Sequence, residues 1–311
     1  MKKVLILVGP TGVGKTGASI FLAQTLATEI ISADSMQIYR GMDIGTAKPT
    51  EGERAGVKHH MIDIVEPFES YSTGRYIGTI RPIIEGLHGK EKIPIIVGGT
   101  GLYIKAITRG IFSGPSADWV LREKLLSLER EEEGSLFRYL RALDAEAAKK
   151  IERNDLRRIV RALEVCVKSS EKVSFLRKSC TEPLPYEFVK IGLTRERKEL
   201  YGIIGNRVDT MIRRGLEDEV AKIFAMNPDR TPMQAIGYKE FGSYLKGEIL
   251  REEAVGLIKR NTRRYAKRQF TWFRKEEGIR WIDITGMRES HEICKAIRAV
   301  LERYAPDIFC G

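Results

Sequence analysis

Eight residues near the start of the chain, Gly9-Pro10-Thr11-Gly12-Val13-Gly14-Lys15-Thr16, have the spacing G-x-x-x-x-G-K-[ST] of a phosphate-binding loop. Successive backbone N–H groups in such a loop form a concavity for an anion. The helix that follows turns its positive end toward the same place. Lys15 adds a point charge, and the Thr16 hydroxyl suits Mg²⁺. Enzymes that transfer phosphoryl groups commonly end a later apolar strand in an aspartate that holds the metal. The corresponding strand here, "IPIIV", runs into Gly98-Gly99-Thr100-Gly101 and carries no carboxylate. The acid stands elsewhere, at Asp34 in "SADSMQIYRGMDIGTAKP". By spacing alone Asp34 serves equally as a general base facing the phosphate, as a helix N-cap or as a ligand to Mg²⁺-bound water.

A second group of residues suits polyanions. The stretch "LIKRNTRRYAKRQFTWFRK" (257–275) holds cations at 259, 260, 263, 264, 267, 268, 274 and 275 and no acid. Lys259, Arg263 and Lys267 recur every four residues, as do Arg260, Arg264 and Arg268, so a helix stacks them into positive ridges. In "NDLRRIVRALEV" Asn154 or Asp155 caps a helix. Leu156, Ile159, Val160 and Leu163 make its apolar stripe, and Arg157, Arg158 and Arg161 project from the other side. The formal net charge of +11 agrees with a nucleic-acid partner.

The elements that position these residues read as strands alternating with helices. Apolar runs at 3–9, 29–35, 60–65 and 93–101 are strands, and a helix from about 15 to 27 places Ala18, Phe21, Leu22 and Leu26 on one side. That alternation implies an α/β fold: a P-loop-type parallel sheet core with flanking helices and ligands beyond the carboxyl ends of its strands. The strand tips are Gly9–Thr16, Asp34-Ser35 and Gly98–Gly101. Composition changes at Ser113-Gly114-Pro115-Ser116. Residues 1–116 are read as the first part of the core, 117–185 as an α-helical insertion domain, and 186–311 as completion of the core with basic C-terminal helices. A strand at 187–193 and another at 279–284 fall in that last part, followed by a helix ending near Tyr304.

Several features point to no chemistry of their own. The four cysteines, Cys166, Cys180, Cys294 and Cys310, form no C-x-x-C pair and suit a reducing cytoplasm. His59-His60 lacks further ligands and reads as hydrogen-bonding. Trp272 and Phe273 read as packing residues, and Tyr238 and Lys239 carry no assignment. The apolar N-terminus is too short for a signal peptide and runs into the phosphate loop. No run of about 18 apolar residues suggests a membrane span.

Taken in order, "GPTGVGKT", "SADSMQIYRGMDIGTAKP", "HHMIDIVEP", "IVGGTGLYIKA", "NDLRRIVRALEV", "AIGYKEF" and "RRYAKRQFTWFR" resemble the tRNA dimethylallyltransferase family over residues 4 to about 275. The resemblance implies transfer of a dimethylallyl group from its diphosphate to the exocyclic amine of adenosine 37, in the anticodon stem-loop of tRNAs that read codons beginning with U. It further implies Mg²⁺ as cofactor, with Thr16 as its protein ligand. The loop Gly9–Thr16 would hold the donor diphosphate, with Asp34 as base, Thr11 orienting the reacting groups and Arg207 reaching the diphosphate. Neighbouring Arg213 and Arg214 remain alternatives to Arg207. Because the target base lies within a stacked loop, it must be extruded. Ser35, Met36 and Gln37 would then grip it, with Gln37 pairing through two hydrogen bonds. Read structurally, "SMQ" is equally a helix start with Met36 in the core. Thr100 would contact donor or base. Arg122, Arg157, Arg158, Arg161, Arg260, Arg263, Arg264 and Lys267 would meet tRNA. The family usually has glutamine where this chain has Arg157, a change that adds a phosphate contact or removes a base-edge contact. A monomer in the cytoplasm is the default expectation.

Rival functions differ in what they need. An adenylate isopentenyltransferase, acting on free AMP, has no use for the arginine helix or the cationic ridges. A P-loop nucleotide kinase needs the missing strand-tip acid. A non-catalytic RNA-binding protein needs neither Lys15 nor Asp34. If the ridge meets RNA, Arg264→Ala should weaken tRNA binding and reduce the slope of log affinity against log salt by about one. A binding titration across salt concentrations measures that slope, and an unchanged slope removes Arg264 from the RNA surface.

Overall fold

The computed structural model describes residues 1–112, 114–179 and 181–309. Cys180, Cys310 and Ser113 of the composition change lie outside the described residues. Contacts divide the chain into two compact units: Met1–Lys105 with the chain from Pro185 onward, and Ala106–Leu184.

The first unit is built on six parallel strands: β1 (Lys3–Val8), β2 (Ile30–Ala33), β3 (His59–His60), β4 (Ile95–Gly98), β5 (Glu187–Thr194) and β6 (Ile279–Asp283). Their order is β3-β2-β4-β1-β5-β6. All four residues of β2 and of β4 are buried, as is β1 after Lys3, which is why these strands read as unbroken apolar runs. Register brings the tips together. Gly98 lies beside Val8 on one side and Ala33 on the other, so the segments after β1, β2 and β4 leave the sheet as neighbours.

The expected boundaries move for local reasons. The run at 60–65 gives regular strand only at His59–His60, with one isolated bridge from Tyr39 to Val65. Met61 and Asp63 adopt left-handed backbone, with φ of 64° and 55°, which breaks the ladder. Strand β2 stops at Ala33 because Asp34 Oδ1 accepts the N–H groups of Met36 and Gln37 at 2.8 and 3.4 Å, turning the chain. The first helix spans Lys15–Thr25 and buries Ala18, Ile20, Leu22 and Ala23, whereas Phe21 is exposed rather than part of the buried stripe.

The second unit begins earlier than composition suggests, at Ala106 within the helix Gly101–Arg109. Leu184 N–H bonds Ile107 O at 3.0 Å, and Gly110 lies against the Glu182 backbone, so both ends of the segment are tied together. Its core contains Leu136, Leu140, Ile159, Val160 and Leu163. Asp118 caps the helix Trp119–Glu131, and Asp155, not Asn154, caps Leu156–Ser169.

Candidate active site

The loop after β1 closes on Gly14, whose φ of 113° suits glycine, and a helix starts at Lys15 with no side-chain cap. Its first N–H groups therefore face outward for an anion. Lys15 Nζ donates to the carbonyls of Gly9 at 2.9 Å and Pro10 at 2.8 Å. Burial pushes the Lys15 ammonium down to about 7. Arg207 adds to that fall and Asp34 opposes it. Arg207, on the helix Arg197–Arg213, is likewise lowered by burial and held up by Asp34. Two cations and one carboxylate thus share a cavity of about 290 Å³ with Thr11, Thr16 and Gln269 on its wall. Of the three candidate arginines, Arg207 lines this cavity, while Arg213 and Arg214 are exposed.

Asp34 lines the cavity and caps no helix. Its Oδ1 pins a turn. Thr100 Oγ1 accepts the Ser35 N–H at 3.1 Å, and the Thr100 N–H donates to Ala33 O at 3.1 Å, which ties the β4 tip to the β2 tip. The Gln37 amide is engaged within the chain: Nε2 donates to Thr46 O and Ala47 O at 3.3 and 3.4 Å, and Oε1 accepts from Ser32 Oγ at 3.1 Å. In this conformation its amide is not free for the two-bond pairing expected of it. Met36 packs partly buried against the cluster containing Tyr39 and Met42.

Gln269 was not legible as a site residue. Its Oε1 accepts the Thr11 N–H at 2.8 Å and its Nε2 donates to Gly99 O at 3.0 Å. Its signal was a polar side chain on the stripe of Ile258, Ala266 and Phe273, the buried face of the helix Arg251–Phe273. Glu219 was missed as well. Its carboxylate accepts N–H groups from Asp43, Ile44 and Gly45 at 2.7–3.0 Å and a bond from the Tyr238 hydroxyl, which gives that unassigned tyrosine a role. Buried Lys48 reaches Asp43 and Asp63, each at 2.5 Å, and Tyr39 O at 2.8 Å. Together these hold the loop whose carbonyls orient Gln37. His60 bonds Glu29 at 2.7 Å and His59 bonds Val57 O at 2.9 Å. Among the described residues no group of three or more His, Cys, Asp or Glu side chains could hold a metal.

The cationic residues separate into free and engaged groups. Arg260, Arg263, Arg264 and Lys267 are exposed, with no acidic partner among the described residues, whereas Lys259 pairs with Asp209 at 2.5 Å. Arg268 lies over the Tyr265 ring. In the second unit Arg157 and Arg158 are exposed, and Arg158 reaches Asp155 at 3.2 Å. Arg161, expected to project from its helix, and Arg122, expected at the tRNA surface, both engage an acid of this unit. Arg122 donates twice to fully buried Glu164, at 2.9 and 2.8 Å, and Arg161 donates to Glu164 and to Pro115 O. A buried carboxylate left without partners is costly, so these arginines are held inward.

A family model described as IPP transferase matches residues 37–276, and one described as isopentenyl transferase matches residues 2–66. The chain is 52% identical over 307 residues to the tRNA dimethylallyltransferase of Thermodesulfovibrio yellowstonii, covering 96% of this chain and 98% of that one. The solved tRNA isopentenylpyrophosphate transferase of Bacillus halodurans is similar at a TM-score of 0.71 and 42% identity, covering 97% and 98% of the two chains. A eukaryotic dimethylallyltransferase captured acting on tRNA is similar at a TM-score of 0.80 and 30% identity, covering 97% of this chain and 78% of that one.

Lys15 makes the site's anion affinity depend on protons. With its value near 7 the side chain is mostly neutral at pH 8.5, and an arriving anion raises it again. Binding of a diphosphate monoester at pH 8.5 should therefore take up protons. Calorimetry in buffers of different ionisation enthalpy reads that uptake. Lys15→Met should abolish most of it and weaken binding about 10–100-fold; a heat independent of buffer would contradict the assignment.

Proposed function

Since the chain belongs to the IPP transferase family, we propose that it is a tRNA dimethylallyltransferase that joins the dimethylallyl group of dimethylallyl diphosphate to N6 of adenosine 37 in the anticodon stem-loop. The observation that carries this reading is the shared cavity. A phosphate loop, Lys15 and Arg207 offer positive charge to a diphosphate, Asp34 lies beside them, and no carboxylate stands at the β4 tip.

The bond broken is carbon–oxygen. As the allylic carbon separates from the bridging oxygen, the electron pair leaves with the diphosphate. Lys15, Arg207 and the loop N–H groups stabilise the charge that gathers there. The adenine amine is a weak nucleophile, because its lone pair is delocalised into the ring. It forms the N–C bond while one N6 proton passes to the Asp34 carboxylate. Oδ1 of Asp34 is occupied by the turn, which leaves Oδ2 as the oxygen for that proton. The oxygen donors on this wall suit a hard cation. Thr16, exposed at the rim, would hold Mg²⁺ together with diphosphate oxygens and water, and the bound ion would offset leaving-group charge. The free cations of the helix Arg251–Phe273, with Arg157 and Arg158 of the second unit, support tRNA as acceptor over free AMP. The free thiols Cys166 and Cys294 are in keeping with a cytoplasmic site.

The test is a transfer assay with radiolabelled dimethylallyl diphosphate and Mg²⁺. Unmodified tRNA carrying adenosines at 36 and 37 is compared with free AMP. Label should enter tRNA alone; label in AMP, or ATP hydrolysis with no label transferred, would overturn the reading. Asp34→Ala should slow transfer about 10²–10⁴-fold with tRNA affinity kept. If affinity falls in step with rate, Asp34 is a binding residue.

A further inference from the structure

Gln269 is 6% exposed and spends both ends of its amide on two strand tips. Its oxygen holds the Thr11 N–H of the phosphate loop, beyond β1. Its nitrogen holds the Gly99 carbonyl, beyond β4. The next residue, Thr100, accepts the Ser35 N–H beside Asp34. A single buried amide therefore links the backbone that would hold the donor to the backbone that sets the base. The contact is close: a Cβ on Gly99 would fall 2.1 Å from Nε2, so only glycine allows the amide this near. Tyr265, one helical turn earlier, lines the same cavity.

We propose that Gln269 is a positioning residue that fixes the spacing between the donor loop and the Asp34 side of the cavity, and that this spacing sets the rate of carbon transfer. The inference rests on the proposed transferase activity. It follows from geometry. Each substrate is bound by its own part of the site, but the N–C bond forms only when the allylic carbon and N6 meet in line at near-contact distance. Misplacement of about 1 Å can cost on the order of 10²-fold in rate with little change in binding. Loose spacing also admits water. The allylic carbon then forms its new bond to a water oxygen, the carbon–oxygen bond to diphosphate breaks, the surplus proton goes to solvent, and dimethylallyl alcohol appears instead of modified tRNA.

Three variants test this in the full-length protein. Gln269→Ala removes both bonds. Gln269→Glu keeps an acceptor for the Thr11 N–H but sets oxygen against Gly99 O. Gln269→Met keeps the volume and serves should the alanine variant fail to fold. The readouts are kcat at saturating donor and tRNA, donor KM, tRNA Kd, and the ratio of diphosphate released to label in tRNA. The expected result is a kcat lowered about 10–10²-fold, KM and Kd within about threefold of wild type, and a product ratio that rises above one. A purely stabilising role would lower the melting temperature but leave the kcat of the folded enzyme and the product ratio as in wild type. That outcome, or a loss confined to donor KM, overturns the inference while the transferase reading stands. Wild-type protein that labels no tRNA overturns the transferase reading itself, and the inference with it.

Discussion

Lys15 and Arg207 face one cavity, both lowered by burial, with Asp34 as the carboxylate on the same wall. Like charges in a poorly solvated space repel, and each would prefer to lose its proton. Lys15 responds by falling to about 7 and bonding the carbonyls of its own loop. Arg207 keeps its proton and stays. A multiply charged anion relieves both at once, and it does so best where the uncapped N–H groups of the following helix converge. The fold supplies that convergence. Lys15 follows β1 and Asp34 follows β2, and the strand between them, β4, ends in glycines. The β4 tip carries no carboxylate, so Asp34 is the acid that faces the two cations.

The remaining architecture holds backbone in place around that charge. Thr100 fastens Ser35, Gln269 fastens Thr11 and Gly99, and Glu219 gathers three N–H groups of the loop that orients Gln37. The helix Arg251–Phe273 serves two surfaces. Its buried stripe carries Gln269 into the cavity wall, and its opposite face presents Arg260, Arg263, Arg264 and Lys267 to solvent. One rigid element thus spans the chemistry and the side on which a polyanion would bind.

Much of this was legible in the sequence, because the signals were local. The phosphate loop, the buried parallel strands and the cationic ridges each follow from spacing within a few residues. Asp34 stood out as the acid at a strand tip, the family resemblance added Arg207, and both line the cavity. What sequence did not reveal depends on partners far along the chain. Gln269 sits among cations and looks like part of their surface, yet Thr11, 258 positions away, donates its N–H to the Gln269 amide oxygen. The pairing of Arg122 and Arg161 with fully buried Glu164, an acid on an arginine-rich helix, is equally invisible in the sequence. The strand at 60–65 fails because Met61 and Asp63 take left-handed backbone, which periodicity does not register. Phe21 falls on the exposed side because Ser19 and Ile20 share the buried side with Ala18, Leu22 and Ala23.

The phosphate loop serves the breaking of a carbon–oxygen bond and transfers no phosphorus. The most direct measurement places ¹⁸O at the bridging carbon–oxygen–phosphorus position of dimethylallyl diphosphate and follows it by mass spectrometry through turnover with tRNA. Carbon–oxygen cleavage leaves ¹⁸O in the released diphosphate and none in the dimethylallyl fragment joined to adenosine. Heavy oxygen leaving with the dimethylallyl fragment, alongside phosphate or phosphorylated acceptor, would contradict it and return the loop to phosphoryl chemistry.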